Sequence, residues 1–535
     1  MERGQHWADI TASRIIRERQ GREVYVCASG ITPSGTVHIG NFREIISVEL
    51  VVRALREKGE EVRFIYSWDD YDVFRRVPKN MPESLEAYLR RPITSVPDME
   101  GGQRSYAAGK EAELEKILPL VGIEPEYIYQ TERYKAGCYA ESIKLALDGR
   151  DAIRRALNSF RSEKLDSSWY PLSVFCGKCE RDTTRVLGRP SDYEISYACD
   201  TCGNKERVDL RRFGGAKLPW RIDWPMRWSF ERVDFEPAGK DHHSEGGSFD
   251  TARLIAREVF DYTPPVTFQY DFVRIKGGSG KISSSEGQAL PLSEVLEYYQ
   301  PELVRFMFAG TRPNSEFAIS FDLDVIKIYE DYDRIERDYF NKPLKPGAKW
   351  RRNARIYELS QVGAVPARQP YRVSFRHLTT LLQIYSGAVD EVIAFLGNVP
   401  AEDRDGFRAR AACAWNWLNN HAPENFRFSL RKPSDGPIDL PNASANLLKA
   451  LSSLRALVET KLGRVPEKDF GAAMYEVIRG HKLNSGEFFE SLYLVLIAKR
   501  KGPRMLGFLH ILGAGSVSEL LKLVPDNPRQ PGPRP

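Results

Sequence analysis

Val24-Tyr25-Val26-Cys27-Ala28 runs into Ser29-Gly30-Ile31-Thr32-Pro33-Ser34-Gly35, and then into Thr36-Val37-His38-Ile39-Gly40-Asn41. The apolar run reads as a buried strand, and the Gly/Pro/Ser segment as the turn that ends it. From about Val37 the pattern turns helical, with Phe42, Ile45, Ile46, Leu50 and Val51 on one apolar stripe. A strand, a glycine-containing turn and a helix N-terminus together form a phosphate site, because free backbone N–H groups point at the ligand. His38 and Asn41 are three apart, so they share one helical face at that positive end and could both donate hydrogen bonds to phosphate oxygens. The plain alternative is an ordinary strand-turn-helix with a surface histidine.

A second segment, Gly277-Gly278-Ser279-Gly280 followed by Lys281-Ile282-Ser283-Ser284-Ser285, pairs flexible glycines with one lysine and three hydroxyls. Such a loop suits a lid that brings a cation over a triphosphate, although a solvated Gly/Ser loop has the same composition. Between the two segments, Cys176-Gly177-Lys178-Cys179 and Cys199-Asp200-Thr201-Cys202 stand nineteen residues apart, with room for a short hairpin. Two C-x-x-C knuckles at that separation predict a tetrahedral zinc ribbon through Cys176, Cys179, Cys199 and Cys202, closed by four thiolates and therefore structural. A pair of disulfides or a redox dithiol is the alternative. The opening Met-Glu-Arg-Gly-Gln-His-Trp carries no signal-peptide pattern, which predicts a cytoplasmic, reducing location and reduced Cys27, Cys138 and Cys413.

Taken together and in this order, the two segments resemble the ATP-binding signatures of the class I aminoacyl-tRNA synthetases. Asn41 takes the last place of the His-Ile-Gly-His box. Ile282 and Ser284 stand where the Lys-Met-Ser-Lys-Ser loop has its methionine and second lysine. Further stretches narrow the resemblance to class I lysyl-tRNA synthetase, the type common in archaea and found in some bacteria. They are Gly30 to Gly35, Ser67-Trp68-Asp69-Asp70-Tyr71-Asp72, Trp220-Arg221-Ile222-Asp223-Trp224-Pro225-Met226-Arg227-Trp228 and Gly239-Lys240-Asp241-His242-His243. The likeness runs from His6-Trp7-Ala8-Asp9 to Gly502-Pro503-Arg504; Glu286 and Gln288 depart from the lysine and asparagine usual in that family.

The resemblance implies ATP, magnesium and structural zinc as cofactors, and L-lysine and tRNA-Lys as partners. It puts Pro33, Ser34, Gly35, His38, Gly40, Asn41, Asp241, Lys281, Ser283, Ser284 and Ser285 around ATP, with His38, Asn41 and Lys281 catalytic. Gly40 would let an adenine ring approach the backbone closely.

A lysine pocket needs a carboxylate for the ε-ammonium, an apolar wall for the four-carbon stem and acceptors for the α-amino group. Asp223 between Trp220 and Trp224 offers a carboxylate beside indole faces. Asp69, Asp70 and Asp72 follow the strand expected at Val62 to Tyr66, at its carboxyl end, where open α/β sheets bind ligands. Asp69 or Asp70 could serve the substrate amine or help hold magnesium. Gly30 and Thr32 fit contacts to the substrate backbone, and His243 and Tyr270 join the pocket by resemblance. The duller readings are a core strand at Trp-Arg-Ile-Asp-Trp and a helix cap at Asp69-Asp70.

A chain of 535 residues has ample core and room for two to four domains. No apolar stretch approaches the ~20 residues needed to span a bilayer. The net charge of +5 is too mild to argue for a nucleic-acid partner. Local charge says more: between Lys342 and Arg376, nine basic residues (Lys342, Lys345, Lys349, Arg351, Arg352, Arg355, Arg368, Arg372 and Arg376) face one acid, Glu358. Prolines and a glycine interrupt that stretch, so it reads as a basic junction that tracks a tRNA backbone, or as a solvated linker.

The expected fold is an α/β Rossmann-like class I synthetase catalytic domain with a zinc-ribbon-bearing insertion, followed by an all-α C-terminal domain. Its first half spans 1–90 and the insertion 91–217, with the zinc module at about 165–212. The second half spans 218–290, a helical stem-contact region and basic linker 291–373, and a helical domain 374–524; residues 525–535 form a proline-rich disordered tail. By resemblance the helical domain reads the anticodon. Trp415, Trp417, Phe488 or Phe489 could stack on splayed bases there, with core positions as the plainer use.

The implied reaction joins lysine to ATP as lysyl-adenylate, then to the terminal ribose of tRNA, by resemblance at the 2′-OH. Two other readings stay open: an adenylate-forming paralogue with a different acceptor, and a non-enzymatic zinc-ribbon RNA-binding protein.

Overall fold

The computed structural model describes residues 6–78, 81–99, 101–277, 290–438, 440 and 443–525. The chain divides into two compact units, Met1–Ser320 with Arg334–Gln369, and Phe321–Asp333 with Pro370–Pro535.

In the first unit α1 (Trp7–Glu18) precedes β1 (Tyr25–Ile31), α2 (Ile39–Arg56), β2 (Val62–Trp68), α3 (Tyr106–Ile117) and β3 (Glu126–Tyr129). The strand order is β1-β2-β3, all parallel, with Cys27 opposite Phe64 and Ile65 opposite Glu126. On the other side of β1, Cys27 bridges Phe235 and Phe235 bridges Val266, both parallel. The later half of the chain thus returns beside the first strand, and the sheet reverses its order of growth at β1. Every β1 residue from Tyr25 to Ser29 is buried, as expected for a central strand covered on both faces. β3 lies in 91–217, the stretch the sequence reading gives wholly to an insertion, yet it pairs with β2. Four residues are too few to show the alternation that marks a strand.

The insertion itself holds α4 (Gln130–Lys135), α5 (Ala140–Asp148), α6 (Arg150–Asn158) and β4 (Ser173–Val174). Next come β5 (Thr184–Ser191), β6 (Glu194–Cys199), β7 (Lys205–Asp209) and β8 (Ala216–Lys217). β5-β6-β7 is an antiparallel sheet, and β4 pairs with β8 where the insertion leaves and rejoins the body.

The chain then forms α7 (Trp220–Glu231), β9 (Ala238–Gly239), α8 (Ser248–Glu258), β10 (Gln269–Tyr270) and β11 (Val273–Ile275). Trp220-Arg221-Ile222-Asp223-Trp224 is therefore helical, where a core strand was the alternative. Trp220, Trp224 and Trp228 recur every four residues and their rings contact in succession, at centroid distances of 5.1 and 5.0 Å. That is the i,i+4 contact of a helix face.

After α9 (Leu292–Tyr298) and α10 (Pro301–Gly310), β12 (Phe317–Ile319) pairs in parallel with β11; α11 (Asp324–Phe340) and α12 (Ala348–Ser360) follow. The basic stretch is thus not an irregular junction throughout. Its prolines and glycines lie outside 348–360, and the uninterrupted part is helical. Arg355 on α12 is ion-paired with Asp9 at 2.8 Å, Glu57 at 2.6 Å and Glu358 at 3.1 Å, which uses its charge within the fold.

The second unit is helical: α13 (Phe375–Ile384), α14 (Val389–Leu396), α15 (Arg404–Asn420), α16 (Ala445–Lys461), α17 (Glu467–Gly480), α18 (Ser485–Ile497) and α19 (Met505–Lys522). Leu451, Leu454, Phe470, Met474, Phe488 and Leu492 share one buried core. Trp417 and Phe488 are fully buried, so core packing is their use, whereas Trp415 and Phe489 keep part of their surface open. No described helix is long and apolar enough to cross a membrane. Of the tail at 525–535, only Pro525 falls among the described residues.

Candidate functional site

A cavity of about 500 Å³ opens at the carboxyl ends of β1, β2, β9 and β10. This is where the sheet changes direction, and where open α/β sheets bind ligands. Gly30 at the end of β1 is required by packing, since a Cβ there would lie 2.6 Å from the Ser67 carbonyl oxygen on β2.

One wall is the N-terminus of α2. His38 caps the helix: its Nδ1 accepts from the amides of Gly40 (3.1 Å) and Asn41 (3.3 Å), and the Asn41 Oδ1 accepts from the His38 amide (3.3 Å). This reciprocal cap decides the ring's chemistry. With Nδ1 engaged as an acceptor, a neutral imidazole carries its proton on Nε2 and can only donate there. A Cβ at Gly40 would lie 2.9 Å from the His38 ring, so the cap itself requires the glycine, independently of any approaching base.

The opposite end of the cavity is acidic. Glu44, one turn past Asn41, accepts from the Ser29 hydroxyl (2.9 Å), the Gly30 amide (3.2 Å) and the Tyr270 hydroxyl. Glu236 accepts from the indole N–H groups of Trp224 (3.0 Å) and Trp228 (2.6 Å). Burial raises the Glu44 carboxyl above its usual range and pushes Glu236 up to about 7. Among the described residues neither has a cation within ion-pair distance. Trp220 and Trp224 stack at 5.1 Å and 15°, giving a flat apolar surface beside them.

The third acid, Asp69, differs because Arg227 donates to it at 2.6 Å and to the Ser67 hydroxyl at 2.7 Å. Thr32 donates to Asp72 at 3.1 Å, and the buried Lys217 reaches the same carboxylate at 2.7 Å. Of the residues expected around the site, Gly30, Thr32, His38, Gly40, Asn41, Asp69, Trp220, Trp224, Asp241 and Tyr270 line the cavity.

Others sit elsewhere. Asp223 is buried beneath the cavity, 3.2 Å from Arg227 Nε and hydrogen-bonded to the Tyr134 hydroxyl. Asp70 accepts from the Thr131 amide at 2.8 Å, and burial pushes its carboxyl up to about 6. His243 packs on Phe249 at 4.5 Å. Pro33, Ser34 and Gly35 form the turn beside the cavity, where the Ser34 carbonyl accepts from Tyr106 at 3.2 Å. Lys281, Ser283, Ser284 and Ser285 lie outside the described residues; the carbonyl of Leu290, the next described residue, accepts from the Ile39 amide at 2.8 Å.

Sequence reasoning missed Glu44, Glu236, Tyr66, Arg75 and His242 as lining residues. Glu44 had a signal, since it lies three residues after Asn41 on the same helical face. Glu236 had none, because nothing in Phe235-Glu236-Pro237 foretells two indole donors from another element.

In the insertion, the Sγ atoms of Cys176, Cys179, Cys199 and Cys202 lie within 4.8 Å of one another. The pairs Cys176–Cys202 and Cys179–Cys199 are 3.6 Å apart and all four cysteines are free. A tetrahedron of thiolates about 2.3 Å from a metal has edges of about 3.8 Å, so the set fits a zinc-sized ion with no open position.

The family model described as tRNA synthetases class I (K) matches residues 5–363. The lysine–tRNA ligase of Borreliella burgdorferi is 51% identical over 510 residues, covering 95% of this chain and 97% of that protein. That of Treponema pallidum is 50% identical over 528 residues, 98% and 99% of the two chains. The Pyrococcus horikoshii lysine–tRNA ligase is 39% identical over 530 residues, 97% and 99%. With likeness of this extent added to a capped helix N-terminus and an acidic, indole-walled cavity, the chain belongs to the class I lysine-type tRNA synthetase family.

Proposed function

We propose that the protein is a lysine–tRNA ligase, which activates L-lysine with ATP and transfers it to the 3′ end of tRNA-Lys. The observation that carries this reading is the pair Glu44 and Glu236, two carboxylates with no cation in ion-pair distance among the described residues, facing one cavity beside stacked indoles. Lysine brings two ammonium groups and a four-carbon stem. A buried carboxylate whose pKa is raised by burial regains its charge when a cation arrives, so an amino acid with a second amine gains what a neutral side chain cannot. Asp69 is already neutralised by Arg227, which leaves the lysine carboxylate free to act as nucleophile.

That carboxylate attacks the α-phosphate, the bond to the bridging oxygen breaks and pyrophosphate leaves. The phosphates lie at the N-terminus of α2, where the Nε2 proton of His38, the side-chain NH2 of Asn41 and the helix dipole meet growing negative charge. Asp241 is assigned to the ribose, and Lys281 with Ser283, Ser284 and Ser285 to the phosphates. Magnesium supplies charge neutralisation on the triphosphate. The ribose 2′-OH of tRNA then attacks the adenylate carbonyl and AMP leaves. Cys176, Cys179, Cys199 and Cys202 would hold zinc, which would tie the β5-β6-β7 sheet together and take no chemical part.

The helical unit serves the anticodon. Its cavity of about 1160 Å³ is lined by Arg376, Arg427 and Arg504 beside Tyr475, Phe489 and Tyr493. Cations with aromatic faces suit unstacked bases and their phosphates.

The test is aminoacylation of total tRNA with each of the twenty amino acids. Charging by lysine alone, lost in Lys281→Ala by about 2–4 kcal/mol of transition-state stabilisation, is expected. Charging by another amino acid would overturn the lysine assignment, and no charging would overturn the ligase.

A further inference from the structure

Arg43 lies on α2 between the two halves of the site, yet it faces away from the cavity. It is 2% exposed. Its guanidinium is within hydrogen-bond distance of four carbonyl oxygens: Phe272 (3.3 Å), Arg312 (2.9 Å), Pro313 (2.7 Å) and Ser315 (2.8 Å). The Phe317 ring lies 5.2 Å from its carbon centre. Among the described residues no carboxylate is within ion-pair distance. Burial lowers its pKa to about 10, which leaves it cationic at neutral pH.

A buried cation held chiefly by carbonyl oxygens is a poor way to gain stability, because an apolar side chain of similar size avoids the desolvation penalty. What the planar fork offers is direction: several N–H groups at fixed angles, holding several acceptors at once. The acceptors here belong to two segments. Phe272 precedes β11, and Arg312 to Ser315 precede β12. These segments are themselves joined by the Asp271 amide donating to Pro313 at 2.9 Å and by the β11–β12 pairing. Tyr270, Asp271, Phe272 and Val273 line the cavity opposite the α2 cap. The next residue on α2, Glu44, accepts from Tyr270 inside the cavity. Neighbouring side chains of α2 thus both hold the stretch from Tyr270 to Phe272.

We infer that Arg43 is a positioning residue for the reaction: it fixes the separation between the capped N-terminus of α2 and the Asp271–Val273 wall, and so the seat of the nucleotide, without touching it. This rests on the reading of the cavity as the site of ATP and lysine. The grip on the amino-acid side, Tyr270 on Glu44, does not depend on Arg43, so the two substrates respond differently to its loss. A displacement of about 1 Å in such a site is worth up to roughly 100-fold in rate.

The experiment compares wild type, Arg43→Lys and Arg43→Met in aminoacylation with lysine and tRNA-Lys, with calorimetric lysine binding and thermal melting alongside. Wild type is assayed first; failure to charge lysine there would sink the functional reading rather than this one. With wild type active, both variants are expected to raise KM for ATP or lower kcat by roughly 10-fold to 100-fold. Affinity for substrate lysine should stay within about twofold, and Arg43→Lys should not restore the ATP response. An unchanged ATP response in either variant would overturn the inference. So would loss of ATP and lysine binding in parallel with a lowered melting temperature, or failure of both variants to fold, since each would assign Arg43 to stability alone.

Discussion

Arg227 donates to Asp69 at 2.6 Å beneath the cavity, and the same guanidinium lies 3.2 Å from Asp223. One buried cation thus contacts two acids, whereas Glu44 and Glu236 have no cation within ion-pair distance among the described residues. Asp223 serves this arrangement by holding Arg227. Replacing Arg227 by methionine strands Asp69, and breaking a buried pair in this way costs about 3–5 kcal/mol of stability. The double variant Arg227→Met/Asp69→Asn should recover only the part of that loss owed to Asp69, because Asp223 still lacks its partner. Urea unfolding of the four species measures the coupling, and purely additive losses would contradict it.

The Glu236 carboxyl sets a pH dependence whose sign can be stated. Its pKa is raised from 4.5 to about 7 in the free protein by burial. Between those values the folded protein holds a proton that the unfolded chain has lost, so this group's contribution to stability falls as pH rises from 4.5 to 7. Lysine binding runs the other way, because an ammonium requires the carboxylate. Lysine affinity should therefore weaken as pH falls below about 7, with proton release on binding near pH 6.5. Calorimetry in buffers of different ionisation enthalpy reads that proton. In Glu236→Gln the release should shrink and affinity fall by roughly 10-fold to 100-fold.

His38 does two jobs that substitution can separate. Its Nδ1 caps α2 and its Nε2 carries the donor. Asparagine caps helices well but leaves no ring donor, so His38→Asn should melt within a few degrees of wild type yet lose roughly 100-fold or more in kcat. His38→Ala should lose the same activity and a further ~1 kcal/mol of stability. Equal activity in the asparagine variant and wild type would remove Nε2 from the chemistry.

Cys179→Ser should lower both zinc content and melting temperature, because three thiolates and a hydroxyl close the site poorly. Elemental analysis of the purified protein and a melting curve before and after chelation give the two readouts. A variant that keeps one zinc per chain and melts normally would mean that the cysteines serve something else.

The β1-turn-α2 unit was legible because strand, turn and helix each carry a distinct local pattern, and the four cysteines because their spacing leaves little choice. Three features were hidden for different reasons. β3 is too short to show alternation. The tryptophans at 220, 224 and 228 announced a helix face, but their aromatic bulk reads equally as β-strand. The Glu44–Glu236 pair brings together residues from distant segments, and its chemistry comes from burial and indole donors that no local window contains. Asp223, the acid most conspicuous in sequence, proves to contact Arg227 and the Tyr134 hydroxyl instead of the cavity.

The position of β1 also governs how the chain can be divided. Cys27 is paired with Phe64 on one side and with Phe235 on the other, so the central strand is complete only when residues beyond the cysteine-bearing insertion are present. A fragment ending within that insertion would leave this side of an apolar strand open at Val26 to Ala28, with the N–H and C=O groups there unpaired. Nascent chains pass through that state on the ribosome, and proteolytic halves would be left in it. The protein should therefore tolerate changes of length inside the insertion, yet yield aggregates when expression stops there.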